Sequence, residues 1–336
     1  MGDRLAPRDG VRTGERSSTV LAFDDQSRLQ LTEQSQVFLR DYGRNLLGVQ
    51  EGEIEIERGQ ADLTLVAERP NATDIEIIVG DTVTRPKVGP SGTAETRTRR
   101  DDGGAAVMVY GGSSNVEAAG VTVPVRRGMG TTVDSGEPPK PPERLLRAPS
   151  LEAPDAGSEW GWTNPRLSWK AVPKAASYVV EICADTACTA LLARAENIAE
   201  TSWIANVPLP AAELHWRVTA RSSSGLDGYP ATTRAYTATT ARHDANAPTV
   251  SVAIAGAGHV DSDGSLVVAP GSALRVWVRD DASGTAAVRA RWNEGEWQNV
   301  SGDLAVPSAQ SQLEVVSEDM LGRQSAPLTV TVRPSL

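Results

Sequence analysis

The chain has 336 residues, of which 40% are apolar, 23% charged and only 4% aromatic, and it carries a formal net charge of −10. That length predicts two or three domains with room for buried cores, so neither a metal nor a disulfide is needed for folding. The negative balance excludes strong general affinity for nucleic acid, which needs a basic patch, and no apolar run is long enough to span a bilayer.

The N-terminal stretch 11–134 reads as short strands: 19–23, 28–31, 36–41, 52–57, 61–67, 73–79, 105–110 and 121–126. They are alternating or β-rich runs separated by Gly43, Gly59, Gly80, Gly89, Gly103, Gly111, Gly120 and Gly128, which predicts an all-β unit. In GEIEIE the period of two places Ile54 and Ile56 on a buried face and Glu53, Glu55 and Glu57 on a wet one. Residues 135–157, with Pro pairs at 138–139 and 141–142, predict a semi-rigid linker.

Residues 158–243 and 244–336 each predict a β-sandwich, with strands about every 8–15 residues. Strands are expected at 166–172, 176–183, 201–205, 214–221 and 233–239. In the last part they are expected at 249–255, 265–269, 273–280, 286–292, 312–319 and 328–333. All eight Trp lie after residue 159, whereas both Phe (Phe23 and Phe38) lie before residue 40. The cores are therefore expected to follow two plans, with Trp169, Trp203, Trp216 and Trp277 at core positions.

The run RLAPRDGVRTGERSSTVLAFDDQSRLQLTEQSQVFL resembles the FecR domain, with its TG turn, its strand, its aspartate-rich turn and a strand ending in an apolar anchor. GVQEGEIEIE, TVTRPKVGPSGTAETRT and VYGGSSNVEAAGVTVPVRRGMGTTVDSGEPPKPPERL continue the likeness over roughly a third of the chain. Gln26 departs from it, standing where the family usually has the Gly of a DGS turn. The resemblance implies an all-β, solenoid-like or rolled fold in the periplasm of Gram-negative bacteria. It also implies one of two roles: signalling to a sigma factor through a membrane helix, or service in a modular envelope protein beside a LysM module. The second unit resembles a fibronectin type III domain through SWKAVPKAASYVVEI, with Trp169 and Tyr178, and HWRVTARSSSG. The third resembles bacterial immunoglobulin-like modules through VWVRDDASG and VVSEDMLGRQS. The opening MGDRLAPRDG lacks the basic and apolar regions of a secretory signal, so the chain is expected to be cytoplasmic, or a mature or truncated product.

Candidate chemistry is sparse. Cys183 and Cys188 enclose four residues and are expected to form a disulfide in an oxidising envelope. Reduced core thiols are the alternative. Zinc and redox roles are disfavoured by the spacing. His215, His243 and His259 form no catalytic motif, and His215 is expected at the surface. The paired acids Asp24/Asp25, Asp101/Asp102 and Asp280/Asp281 are expected to point into water. Asp261 and Asp263 resemble the opening of a calcium loop, but Ser272 stands where the closing Glu belongs, so a hairpin turn is the expectation. Trp160 and Trp162, and the pair Trp292 and Trp297, offer surfaces on which a sugar could stack. Asn71-Ala-Thr and Asn299-Val-Ser match the glycosylation acceptor pattern by chance. The expectation is thus a non-catalytic scaffold or binding protein without cofactor or metal. Its partners would be envelope proteins or peptidoglycan and polysaccharide. A glycan-binding protein and a FecR-type regulator lacking its membrane segment are the alternatives.

Overall fold

A computed structural model describes residues 5, 8–23, 25–44, 50–67, 73–101 and 103–335, and every regular element among them is a β-strand. Among these residues no helix is long and apolar enough to cross a membrane. The chain forms two compact units. One comprises Met1–Ser158, Leu167–Trp203 and Glu213–Thr237, and the other Glu159–Arg166, Ile204–Ala212 and Ala238–Leu336.

The N-terminal part of the first unit is a roll of two sheets that share one long strand, Gln50–Val66. The first half of this strand pairs antiparallel with Gln36–Arg44 and parallel with Thr73–Val79. That sheet continues through Thr82–Lys87 and Ser113–Ala118 to Val121–Arg126. The second half pairs with Arg28–Leu31 and Thr93–Asp101, and this other sheet runs on through Gly104–Gly111 to Met129–Asp134. Gly59 sits where the strand changes sheets. Its φ of +82° is left-handed, and a Cβ there would lie 2.7 Å from the Ser35 Cα. Only glycine makes that bend without displacing the neighbouring backbone.

Between the sheets lies one aliphatic core, including Leu29, Leu31, Val37, Ile54, Ile56, Leu63, Ile75, Ile77, Val107 and Val109. Burial in GEIEIE alternates as its period demands, with Ile54 and Ile56 enclosed and Glu53 and Glu57 exposed. Gln26 adopts a left-handed φ of 71°, a conformation that glycine takes at no steric cost. The turn is held by Asp25, whose carboxylate accepts from the Ser27 amide (2.9 Å) and hydroxyl (3.0 Å). Such side-chain turn bonds offset the steric cost of the non-glycine residue.

The Pro-rich stretch adds edges to its neighbours. Glu143–Arg144 pairs with Met129 and Gly130, and Leu151–Ala153 pairs with Leu167–Trp169. Ser202–Trp203 completes the latter small sheet. The second module's larger sheet holds Arg234–Ala238, Glu213–Ser222, Ala175–Cys183 and Leu191–Ile198, with Asp227–Pro230 alongside. Trp169, Trp216 and Tyr236 are fully buried, and Trp169 meets Tyr178 edge to face at 5.3 Å.

In the second unit, Thr249–Ala255, Ala273–Arg279 and Leu304–Ala305 form one sheet of a sandwich. Its other sheet has the spatial order Gly258–Val260, Leu266–Val268, Leu328–Pro334, Ser311–Asp319, Thr285–Trp292, Gln298–Asn299. Leu274, Leu313, Val315 and Val332 centre the core. Trp277 is a correction to the expected core, being 57% exposed. Period two along its strand sends Leu274, Val276 and Val278 inward, so Arg275, Trp277 and Arg279 face out.

Candidate functional site

One face of the roll is occupied by the second module. Along Gly104–Gly111, Ala105, Val107 and Val109 enter the roll's core, while Ala106 and Met108 turn outward and pack with Leu226, Tyr110 and Leu145. The strand is thus buried on both faces, which a sheet achieves only beneath a second layer.

Charges from the neighbouring strands close this junction. Arg97 grips Asp62 with two bonds of 2.7 Å and reaches Asp227 at 3.4 Å. Arg99 binds Asp101 (2.7 and 3.0 Å) and Asp227 (3.1 Å), and Arg221 donates to Asp227 (2.6 Å) and Glu196 (3.0 Å). The Tyr110 hydroxyl donates to the Asp227 carbonyl at 3.2 Å. Burial alone would push the Asp227 carboxyl up, but Arg99, Arg97 and Arg221 outweigh it and hold the group at about 2. Buried Glu181 is held likewise at about 2 by Arg217 and Arg194. Every carboxylate of the junction already accepts from a guanidinium, so the arrangement fixes one module against the other.

The disulfide loop lies on the same border. Cys183 and Cys188 are bonded, with their Cα atoms 5.1 Å apart. The Cys188 carbonyl accepts from Gln30 Nε2 (2.8 Å), the Thr189 carbonyl from the Ser18 hydroxyl (2.6 Å), and the Leu191 amide donates to that same hydroxyl (3.0 Å). Asp185 caps the loop from inside, accepting from Ala190 (2.6 Å) and Thr189 (3.1 Å) amides.

The roll's other sheet turns a charged face outward. Glu53, Glu55 and Glu57 line an open groove with Arg8, Arg40 and Phe38. Arg40 Nε donates to Glu55 (2.6 Å) and Gln36 to Glu57 (2.7 Å). On the same sheet Arg85 bridges Glu76 and Glu117, each at 2.6 Å. Acidic groups outnumber basic ones here, and nearly all remain in contact with water.

The other sequence candidates separate into distinct settings. Trp160 and Trp162 are half-buried and meet edge to face, centroids 5.1 Å apart and planes at 73°, so they present no common flat platform. Trp292 packs on the third module's core, while Trp297 lies beneath the Arg291 guanidinium at 4.7 Å, so these two do not make an exposed pair. Asp261 and Asp263 belong to a turn closed by the Asp261 carbonyl and the Gly264 amide (2.9 Å), and both carboxylates face Arg333 (3.5 and 2.8 Å). His215 is buried, not at the surface, because its strand is covered on both sides; its Nε2 lies 3.2 Å from Glu213. Asn299 ends a two-residue strand. Asp24, Asn71 and Asp102 lie outside the described residues.

Spacing does not reveal a further cluster in the second unit. Asp244, Asp280 and Asp319 each bring one carboxylate oxygen within 4.8 Å of the others. Asp280 therefore does not point into water as expected of the Asp280/Asp281 pair. Asp280 Oδ1 accepts from the amides of Ala282 (3.1 Å) and Gly284 (2.6 Å), and Asp319 Oδ1 from those of Leu321 and Arg323 (both 2.8 Å). Asp244 accepts from the Ser283 amide (2.9 Å) and from Arg323 Nη1 (2.7 Å). The available signal was the pair of similar phrases DDASG and EDMLG, which form equivalent aspartate-capped turns.

Fold and site together define a class: an all-β, multi-module chain in which a two-sheet roll precedes two β-sandwiches. Residues 9–120, which lie within the roll, match the family described as FecR protein. No curated protein matches the sequence significantly. Among solved structures, the chain is similar to a candidate anti-sigma factor from Parabacteroides distasonis. The likeness has 12% identity and a TM-score of 0.33, and covers 40% of this chain and 59% of that one. It is also similar to fibronectin(III)-like modules of Clostridium thermocellum CbhA, with 13% identity, a TM-score of 0.27, and coverage of 56% and 94%. The chicken CNTN1 FN1-FN3 domains give 13% identity and a TM-score of 0.28 over 97% of this chain and 100% of that one. At these TM-scores no common arrangement of the whole chains is implied.

Proposed function

We propose that this chain is a non-catalytic binding protein of the Gram-negative envelope, in the periplasm or associated with the outer membrane, which holds or bridges protein partners. The FecR domain at residues 9–120 supports the envelope setting. So does the disulfide, a bond that persists in oxidising compartments. The observation that carries the reading is the asymmetry of the roll. One sheet is covered by the second module, and the other leaves an acidic, hydrated groove around Phe38. A wet, charged face with an aromatic at its centre suits reversible association with a basic protein surface.

The test is retention of envelope proteins on the immobilised full chain, compared with the double variant Glu53→Lys/Glu57→Lys. Both side chains are exposed, so the fold should survive. Specific, salt-sensitive retention by the wild type and its loss in the variant is the expected result. Equal retention by both forms rejects this face. Binding to purified peptidoglycan but to no protein would move the function to glycan recognition.

A further inference from the structure

We infer that the third module carries a divalent-cation site, suited to calcium, formed by Asp244, Asp280 and Asp319. The three residues come from separate segments: the entry to the module, the turn after Ala273–Arg279, and the end of Ser311–Asp319. Oxygens that share one calcium at about 2.3–2.6 Å stand no more than roughly 5 Å apart. The three aspartates meet that condition, each offering an oxygen within 4.8 Å of the others. The set is all carboxylate and includes no His or Cys, the donor chemistry of a hard cation rather than of zinc or copper.

A second observation points to a ligand. The Asp319 side chain is 0% exposed, yet its Oδ2 has no hydrogen-bond donor. Asp280 Oδ2 is likewise buried and without a donor. In both residues the other oxygen is fixed by two backbone amides, so the carboxylates are oriented before any ion arrives. The nearest positive group to Asp319 Oδ2 is Arg323 Nη1 at 3.9 Å, which is committed to Asp244 at 2.7 Å. Arg323 thus bonds one of the three carboxylates and only approaches a second. Buried lone pairs left in this condition cost free energy unless a proton or a cation meets them. Divalent charge restores balance while Arg323 stays in place. The exposed Asp261/Asp263 turn lacks this property, because Arg333 and its own amides already satisfy it.

The experiment uses the full chain, stripped with chelator and titrated with calcium chloride by calorimetry and thermal unfolding. One ion should bind per chain, and saturation should raise the melting temperature of one transition by about 5 °C. Asp280→Asn, at a half-buried position, should weaken binding at least tenfold. Asp263→Asn should leave it unchanged. Absence of calorimetric binding to the wild type at millimolar calcium overturns the inference, whether or not any variant folds. So does wild-type affinity in Asp280→Asn. A melting temperature that rises in Asp319→Asn without any calcium response in the wild type assigns the cluster to a shared proton instead, and also overturns it.

Discussion

The junction at Asp227 and the aspartate cluster at Asp319 solve the problem of buried carboxylates in opposite ways. At the junction, Arg97, Arg99 and Arg221 converge on one aspartate, and each guanidinium has a second acidic partner. In the third module one arginine, Arg323, bonds Asp244 and comes no nearer than 3.9 Å to Asp319, and two oxygens have no donor. In the first arrangement the carboxylates are met and the atom left over is a donor, Arg221 Nη2, so nothing there calls for a cation. The second is open, and its unmet lone pairs define what can enter. Burial of acid is therefore not itself a sign of function; the balance of donors around it is.

Replacing the central anion of the closed network is the strongest way to break this comparison. Asp227→Ala leaves three buried guanidinium groups without their shared partner and should cost about 3–5 kcal/mol in denaturant unfolding. A loss below about 1 kcal/mol would show that the junction is held by Met108, Leu226 and their apolar neighbours alone.

Acid separates the two regions by sign. Asp227 and Glu181 are held at about 2, below their ordinary values, so their stabilisation is complete above about pH 5 and disappears as the pH falls through about 2. Each contributes of the order of 2 kcal/mol. Asp319 is shifted the other way: burial, with help from the Asp244 charge, raises its carboxyl. Its folded form takes up a proton more readily than its unfolded form. Its contribution is therefore fully present below the ordinary aspartate range and lost as the pH rises through its raised value. Urea unfolding of wild type and Asp319→Asn across pH 2–7, in chelator, should show the variant lacking this acid-favoured component. Identical pH profiles would remove the contrast.

The smallest effect concerns the rim of the closed junction. Opening Cys183–Cys188 should cost about 2 kcal/mol by the loop-closure estimate. Amide exchange should accelerate first at Leu191, whose N–H is held by Ser18. Exchange that stays unchanged after reduction would mean that Asp185 orders the loop unaided.

Much of this architecture was legible in the sequence, because period-two burial is a local property. GEIEIE announces which side of its strand is wet, and the same rule applied to ALRVWVR would have placed Trp277 outside. Its size made a core position the natural reading, and the alternation overrules size. The unbroken apolar run AAVMVY carried a stronger message, since a strand with no polar face must be covered twice. The continuous burial around His215 has the same origin. What no local pattern reveals is the meeting of Asp244, Asp280 and Asp319. They lie far apart in sequence, and only tertiary folding brings their oxygens together. The mutual tilt of Trp160 and Trp162 was illegible for a related reason, because spacing along a chain does not set the angle between ring planes.

The strand Gly104–Gly111 has a consequence for how such chains can be rearranged. Its outward residues Ala106 and Met108 are floor to the second module, as Val107 and Val109 are ceiling to the roll. A roll cut free at the recognisable end of its family pattern would carry a bare greasy strip beside Arg97 and Arg99, each without its bond to Asp227. Recombination or proteolysis at that boundary should yield a self-adhesive fragment. The piece that keeps both faces of this strand covered is therefore the roll together with the second module.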